Sequence, residues 1–155
     1  MGIRVVPAAA LNHASDEKIG ALTDIVGFHI RLAHVAVYRH FTETFSDLGL
    51  TQKQVSVLWL VDDRPGIAQI DVGQHLQMDR ATTMTIVNRL QAREYIRRER
   101  SEIDGRKQAL YLTDDGRMAL DKAKTCISQH EAWLKGRFTP AEIEKLVEML
   151  SRIHE

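Results

Sequence analysis

Between Asp16 and Phe45 the chain runs thirty residues without a proline, and the helix this predicts carries apolar side chains on two opposite faces. At about 100° per residue, Ile25, Phe28, Leu32 and Val35 form one stripe. Ile30, His34, Val37, Phe41, Phe45 and Leu48 form another on nearly the opposite side. A helix apolar on two faces must be buried on both. It is either the centre of a monomer core or a helix shared with a second subunit. A chain of 155 residues has few elements to surround such a helix, which favours a homodimer.

That length suits one compact unit with a real core, and 44% apolar with 27% charged residues is ordinary for a globular protein. No apolar run approaches the roughly 20 residues that span a bilayer. Val5 to Leu11 is too short, and too interrupted by Pro7, for a signal-peptide core. Met1-Gly2 lacks the Ser or Thr a myristoylation motif needs, since Val6 stands there. A cytoplasmic protein without a membrane partner is expected. The single cysteine, Cys126, allows no internal disulfide and no cysteine-rich zinc site, and reads as a small core residue on a helix. His29, His34 and His40 are five and six residues apart, not the three or four that place metal ligands on one helix face. No nucleophile elbow, phosphate loop or metal-hydrolase motif occurs, so no enzyme, catalytic residue, metal or cofactor is expected.

Residues 1–15 have no periodicity and read as a flexible arm. Leu48-Gly49-Leu50 ends the first helix, with glycine at the stop. Thr51 and Gln54 form a capping box for a helix that carries Val55, Leu58 and Val61 and stops before the turn at Asp62-Asp63-Arg64-Pro65-Gly66. A short helix over about Ile70–Leu76 follows, and Asp79 can cap another over about Arg80–Arg93. Tyr95–Arg100 and Gln108–Leu112 read as a β-hairpin around Asp104-Gly105. Thr113 caps a long helix to Lys135, with Gly136 after it. Thr139-Pro140-Ala141-Glu142 opens the last helix, whose Ile143, Leu146, Val147, Leu150 and Ile153 share a face.

Two short helices joined by a tight turn and followed by a basic hairpin outline a winged helix-turn-helix within a mainly α, α+β chain. The second helix of such a pair lies in the major groove of DNA. On the helix at Arg80–Arg93, Thr83, Ile86, Val87 and Leu90 gather on the packing side, with Ala81, Thr82, Thr85, Asn88 and Arg89 opposite. A small, polar, singly positive face suits close approach to base edges and phosphates. The net charge of the chain is zero, but eight Lys/Arg against five acids between Asp79 and Lys107 leave +3 there and −3 elsewhere. Phosphate attraction is thus confined to one segment. The hairpin adds Arg97, Arg98, Arg100, Arg106 and Lys107, and a thin basic loop can reach the narrow minor groove. Asp104 and Arg106 are close enough to pair, which would fix the direction of the arginine. Candidate DNA-binding residues are therefore Arg80, Ala81, Thr82, Thr85, Asn88, Arg89, Arg98, Arg100, Asp104, Arg106 and Lys107.

From about Gly20 to the C-terminus the order of elements resembles the MarR family of bacterial regulators. The most specific stretches are Met78–Thr83, Asn88–Leu90, Tyr95–Arg98, Asp104–Lys107 and Leu112–Gly116. The resemblance implies a two-fold dimer held by the N- and C-terminal helices, on a pseudo-palindromic operator, with Arg106 in the minor groove. The expected organisation is a helical dimerisation region over 16–48 and 114–155 and a DNA-binding lobe over 49–113. Members usually have glycine where this chain has Glu94, so either the turn differs here or the chain tolerates a strained residue. The family's habit is repression relieved by a small molecule, often an aromatic acid or related phenolic compound. Its pocket would here be lined by His29, His34, Tyr38 and Trp59, with Arg31 and Arg39 for a carboxylate or the phosphates of a coenzyme A thioester. The same six residues also read as ordinary core, interface or surface groups. The family's peroxide-sensing branch keeps a cysteine in the first helix, and none stands there in this chain.

Overall fold

The computed structural model describes residues 20–155, so the expected arm over 1–15 and the start of the expected first helix lie outside the described residues. The chain divides into two compact units between Arg39 and His40, inside its first α-helix.

In the first unit a 3-10 turn over Gly20–Asp24 precedes helix α1, Val26–Thr44. The continuous helix expected from Asp16 is thus interrupted: Gly20 takes φ +58°, and the Ile25 N–H closes the turn on Leu22 O at 3.1 Å. The Thr23 hydroxyl donates to the Gly20 carbonyl (2.9 Å), and the His29 Nε2 lies 2.7 Å from the Thr23 carbonyl. In a continuous helix these carbonyls would accept from backbone N–H groups four residues on. Ile25, Ile30, Leu32 and Val35, from both expected stripes, are exposed in the single chain.

The second unit begins with the end of α1. That helix stops at Thr44, a 3-10 turn spans Ser46–Leu48, and Gly49 adopts φ +57°. Glycine is the stop, as expected, but it closes a 3-10 turn. Helix α2, Gln52–Asp63, opens on the Thr51 capping box, whose two reciprocal bonds measure 3.2 and 3.0 Å. Strand β1 (Ile67–Ala68), α3 (Gln69–His75), α4 (Arg80–Ala92), β2 (Ile96–Arg100), β3 (Gln108–Leu112), α5 (Asp114–Lys135) and α6 (Pro140–His154) follow. Asp79, Thr113 and Thr139 each accept from a backbone N–H three residues on. Gly136 follows α5 with right-handed φ −62°, so it ends that helix without a left-handed cap.

The antiparallel sheet has the order β1-β3-β2, with Ile67 and Arg98 both opposite Leu110. The two-residue β1 is an addition to the expected hairpin. Phe41 and Phe45 stack at 3.9 Å in a core that includes Leu58, Val61, Val72, Val87, Leu90, Ile96, Leu110 and Leu120. Burial of each such aliphatic side chain stabilises by about 1.5–3 kcal/mol. Cys126 is half-buried and packed against this core. Asp62 joins α2 to α5 by accepting from Arg117 (2.8 Å) and Lys124 (3.3 Å). On the apolar face of α6, Ile143 and Leu146 are half-buried, while Val147, Leu150 and Ile153 are exposed. No described helix is long and apolar enough to cross a membrane.

Candidate nucleic-acid interface

The turn between α3 and α4 is set by two close fits. Gln77 takes φ +51°, which lets its N–H reach Gln74 O (3.3 Å) and the Met78 N–H reach Gly73 O (2.9 Å), satisfying the last carbonyls of α3. A Cβ on Gly73 would lie 2.8 Å from the Thr83 hydroxyl and 3.2 Å from the Met78 carbonyl, so α4 can cross this near only over glycine. Asp79 then caps α4. Its carboxylate accepts from the Thr82 N–H and the Thr82 hydroxyl, both at 2.7 Å. These two bonds, the backbone one foremost, hold the Asp79 carboxyl below its ordinary range.

Thr83, Ile86, Val87 and Leu90 of α4 are buried, which leaves Ala81, Thr85, Asn88 and Arg89 exposed and Thr82 half-buried. At the far end Glu94 adopts φ +59°. Its N–H reaches Gln91 O and the Tyr95 N–H reaches Leu90 O, both at 2.9 Å. The turn therefore keeps the left-handed geometry that suits glycine, and the chain carries the strain. The surroundings fix it: Thr113 donates its hydroxyl to Glu94 O and its N–H to Tyr95 O (3.1 Å). Arg93 stacks 4.6 Å over the Tyr95 ring and donates to Gly49 O (2.7 Å).

Along the wing, side chains alternate between the two faces of the sheet. Arg97 points outward, pairing with Glu99 and lying 4.5 Å over the Tyr111 ring. Ile96 is buried on the inner face and Arg98 is half-buried beside it. Arg98 donates to Asn88 Oδ1 (2.6 Å), Gln91 Oε1 (2.6 Å) and, through two nitrogens, Gln69 Oε1 (3.2 and 3.0 Å). Burial pushes its guanidinium below the ordinary arginine range. Arg100 Nε donates to Gly105 O at 2.7 Å. The expected pairing of Asp104 with Arg106 runs through the backbone: Asp104 Oδ1 accepts from the Arg106 N–H (3.1 Å), bracing the turn and leaving the guanidinium undirected. Among the described residues, the side-chain cations of Arg80, Arg89, Arg106 and Lys107 have no partner. Arg80, Arg106 and Lys107 border one groove of about 390 Å³, floored by Gln69, Gly73 and Thr83.

Gln69 and Gln91 join this arrangement without having been read from the sequence. Gln91 carried a signal, since it lies three residues beyond Asn88 on the same helix face. Gln69 carried none, because only the pairing of β1 with β3 brings it near Arg98.

The residues proposed for a small molecule fall in both units. In the first, His34 and Tyr38 stack at 6.2 Å, Arg31 lies 5.4 Å over the Phe28 ring, and His29, Arg31, His34, Tyr38 and Arg39 are all exposed. In the second, Trp59 is half-buried with Lys124 Nζ 5.0 Å from its ring centre. No group of three or more potential metal ligands occurs among the described residues.

A helix pair crossing over glycine, its second helix capped by Asp79 and followed by a sheet wing rooted at its end, defines a winged helix-turn-helix transcription regulator. The MarR family model matches residues 48–107. The chain is 31% identical to the transcriptional repressor CouR, solved on a 23-mer DNA duplex, over 89% of this chain and 98% of that one, with a TM-score of 0.84. CouR bound to p-coumaroyl-CoA aligns at 30% identity over 89% and 97%, with a TM-score of 0.81. A putative transcriptional regulatory protein for the hcr operon of Thauera aromatica is 26% identical over 87% of this chain and 82% of its own length. The chain belongs to the MarR family of transcription regulators.

Proposed function

We propose that this protein is a homodimeric repressor that acts by binding and not by catalysis, on a pseudo-palindromic operator. Helix α4 lies in the major groove, and the wing carries Arg106 into the adjacent minor groove. The observation that carries this reading is the shared groove: Arg80 at the start of α4 and Arg106 and Lys107 at the wing present unpaired cations around one cleft. The same reading assigns the exposed apolar face of α6 and the exposed stripes of α1 to contacts between protomers, since apolar patches of this kind mark association surfaces. The effector that releases the operator is a small aromatic acid or its coenzyme A thioester, a class supported by the p-coumaroyl-CoA complex of CouR. His29, Arg31, His34, Tyr38 and Arg39 of the first unit are its proposed contacts.

The test is affinity for duplex DNA from upstream of the gene, measured against salt. Among the described residues, Arg80, Arg89, Arg106 and Lys107 are the unpaired cations of α4 and the wing. If each in a dimer neutralises one phosphate, log K falls against log salt with a slope of about −7. Arg106→Ala should weaken binding and flatten that slope by about two. Salt-insensitive or absent binding by the native protein would refute the reading.

A further inference from the structure

We infer that Arg98 of the wing fixes the amide polarity of Asn88, so that α4 offers the duplex a hydrogen-bond donor there and selects base edges that accept. This deepens the DNA-binding reading above and rests on it. A guanidinium has donors only. Asn88 and Gln91, both within 2.6 Å of Arg98 nitrogens, must therefore turn their carbonyl oxygens toward it. The orientation is fixed by chemistry, since a flipped amide would set N–H against N–H. Arg98 is itself held, with Gln69 Oε1 accepting from its Nε and Nη2 and the β2–β3 register anchoring its backbone opposite Leu110. Four of its five N–H groups are occupied within the lobe, so it is a positioning residue and not a free phosphate contact.

Asn88 is exposed on the solvent face of α4, and with its carbonyl oxygen held inward its NH2 group remains for the duplex. Asparagine reads adenine by accepting from N6 while donating to N7, which needs both ends of the amide. An NH2 group alone suits guanine, with acceptors at both O6 and N7, or thymine O4; cytosine opposes it with an amino group, and adenine sets its N6 amino group beside its single N7 acceptor, so it is the weaker purine partner. The inferred preference opposite Asn88 is therefore for guanine or thymine.

The experiment selects bound sequences from a randomised duplex pool with the full-length native protein, Asn88→Ala, Asn88→Asp and Arg98→Lys. The native protein should enrich guanine or thymine at one position of each half-site by about fivefold, the low end for a specific base contact. Asn88→Ala should lose that preference at that position alone. Asn88→Asp keeps an oxygen for Arg98 but turns a second one outward, so it should invert the preference toward cytosine or adenine. Arg98→Lys keeps the charge and loses the fork, so discrimination should fall to about onefold there with the salt slope unchanged. An Arg98→Lys protein that keeps the native preference, or a native protein that enriches adenine or cytosine at the Asn88 position, overturns this inference alone. A native protein that enriches no sequence overturns the DNA-binding reading with it. Should Arg98→Lys fail to fold, the Asn88→Asp inversion decides, because that side chain is exposed.

Discussion

Glu94, like Gln77, is a residue of the interface whose backbone works against its side chain, and replacing it by glycine should stabilise the protein. At φ +59° its Cβ crowds the carbonyl that follows, a cost of about 1–2 kcal/mol for an L-residue. Glycine removes that cost but adds freedom to the unfolded chain worth about 0.4–1 kcal/mol. The net expectation for Glu94→Gly is a gain of about 0.5–1 kcal/mol, or roughly 1–4 °C in Tm for a chain of this size. The backbone bonds of the turn, from Glu94 N–H to Gln91 O and Tyr95 N–H to Leu90 O, do not involve the side chain and should survive. Urea unfolding at a fixed protomer concentration is the assay, because association shifts apparent stability by mass action. Glu94→Ala is the control: it removes the carboxylate and retains the left-handed Cβ, so it should stay within about 0.5 kcal/mol of the native protein. A Glu94→Gly protein no more stable than Glu94→Ala would refute strain as the operative effect. Equal gains in both variants would point to the carboxylate instead.

The same logic applies to Gln77, at φ +51° in the helix-turn-helix. Gln77→Gly should gain about 0.5–1 kcal/mol in the same urea assay and add to Glu94→Gly. Gly116→Ala should do the opposite, since its Cβ would fall 2.0 Å from the Tyr95 carbonyl oxygen. Relief needs more than 1 Å of backbone movement by the usual contact distance. Overpacking and the two Thr113 bonds to residues 94 and 95 together predict a loss of about 2–5 kcal/mol; a loss under 1 kcal/mol would mean the turn yields freely. His130 predicts the pH dependence. Its Nδ1 lies 2.8 Å from that of His40, and burial, then the His40 charge, lower its pKa below the ordinary value, against a smaller opposing effect of Glu131. As pH falls below about 6.5 the unfolded chain takes up the proton first, so stability is full above that pH and declines through the window beneath it. His130→Asn should flatten the dependence of the urea midpoint between pH 7 and 5, and an unchanged slope would exclude this pair as its source.

What was legible in the sequence is what the chain settles within three or four residues. The caps at Thr51, Asp79, Thr113 and Thr139 each close on an amide three residues ahead, and the residue types name them. The buried face of α4 followed from a period of 3.6 alone. The interruption of the first helix was harder, because no proline or run of glycines marks it; a single left-handed glycine, Gly20 at φ +58°, opens the 3-10 turn that stands in its place. Strand β1 was illegible for a different reason. Ile67 and Ala68 are extended because Leu110 and Ala109, more than forty residues away, supply their partners.

The charged residues make the same distinction in the interface. Counted along the chain, the wing arginines are alike, and nothing local separates Arg97, Arg98, Arg100 and Arg106. Strand alternation sends Arg97 outward to Glu99 and Tyr111 and Arg98 inward to three amides, while Gly105 captures Arg100 by its Nε. Only Arg106 is left with its whole guanidinium for a partner outside the chain. A tally of basic residues would have predicted a salt slope twice as steep as the one expected from the unpaired cations. The wing is thus divided between arginines that build the surface and one that can reach beyond it, and the Arg98 amide network ties the first group to the helix face it supports.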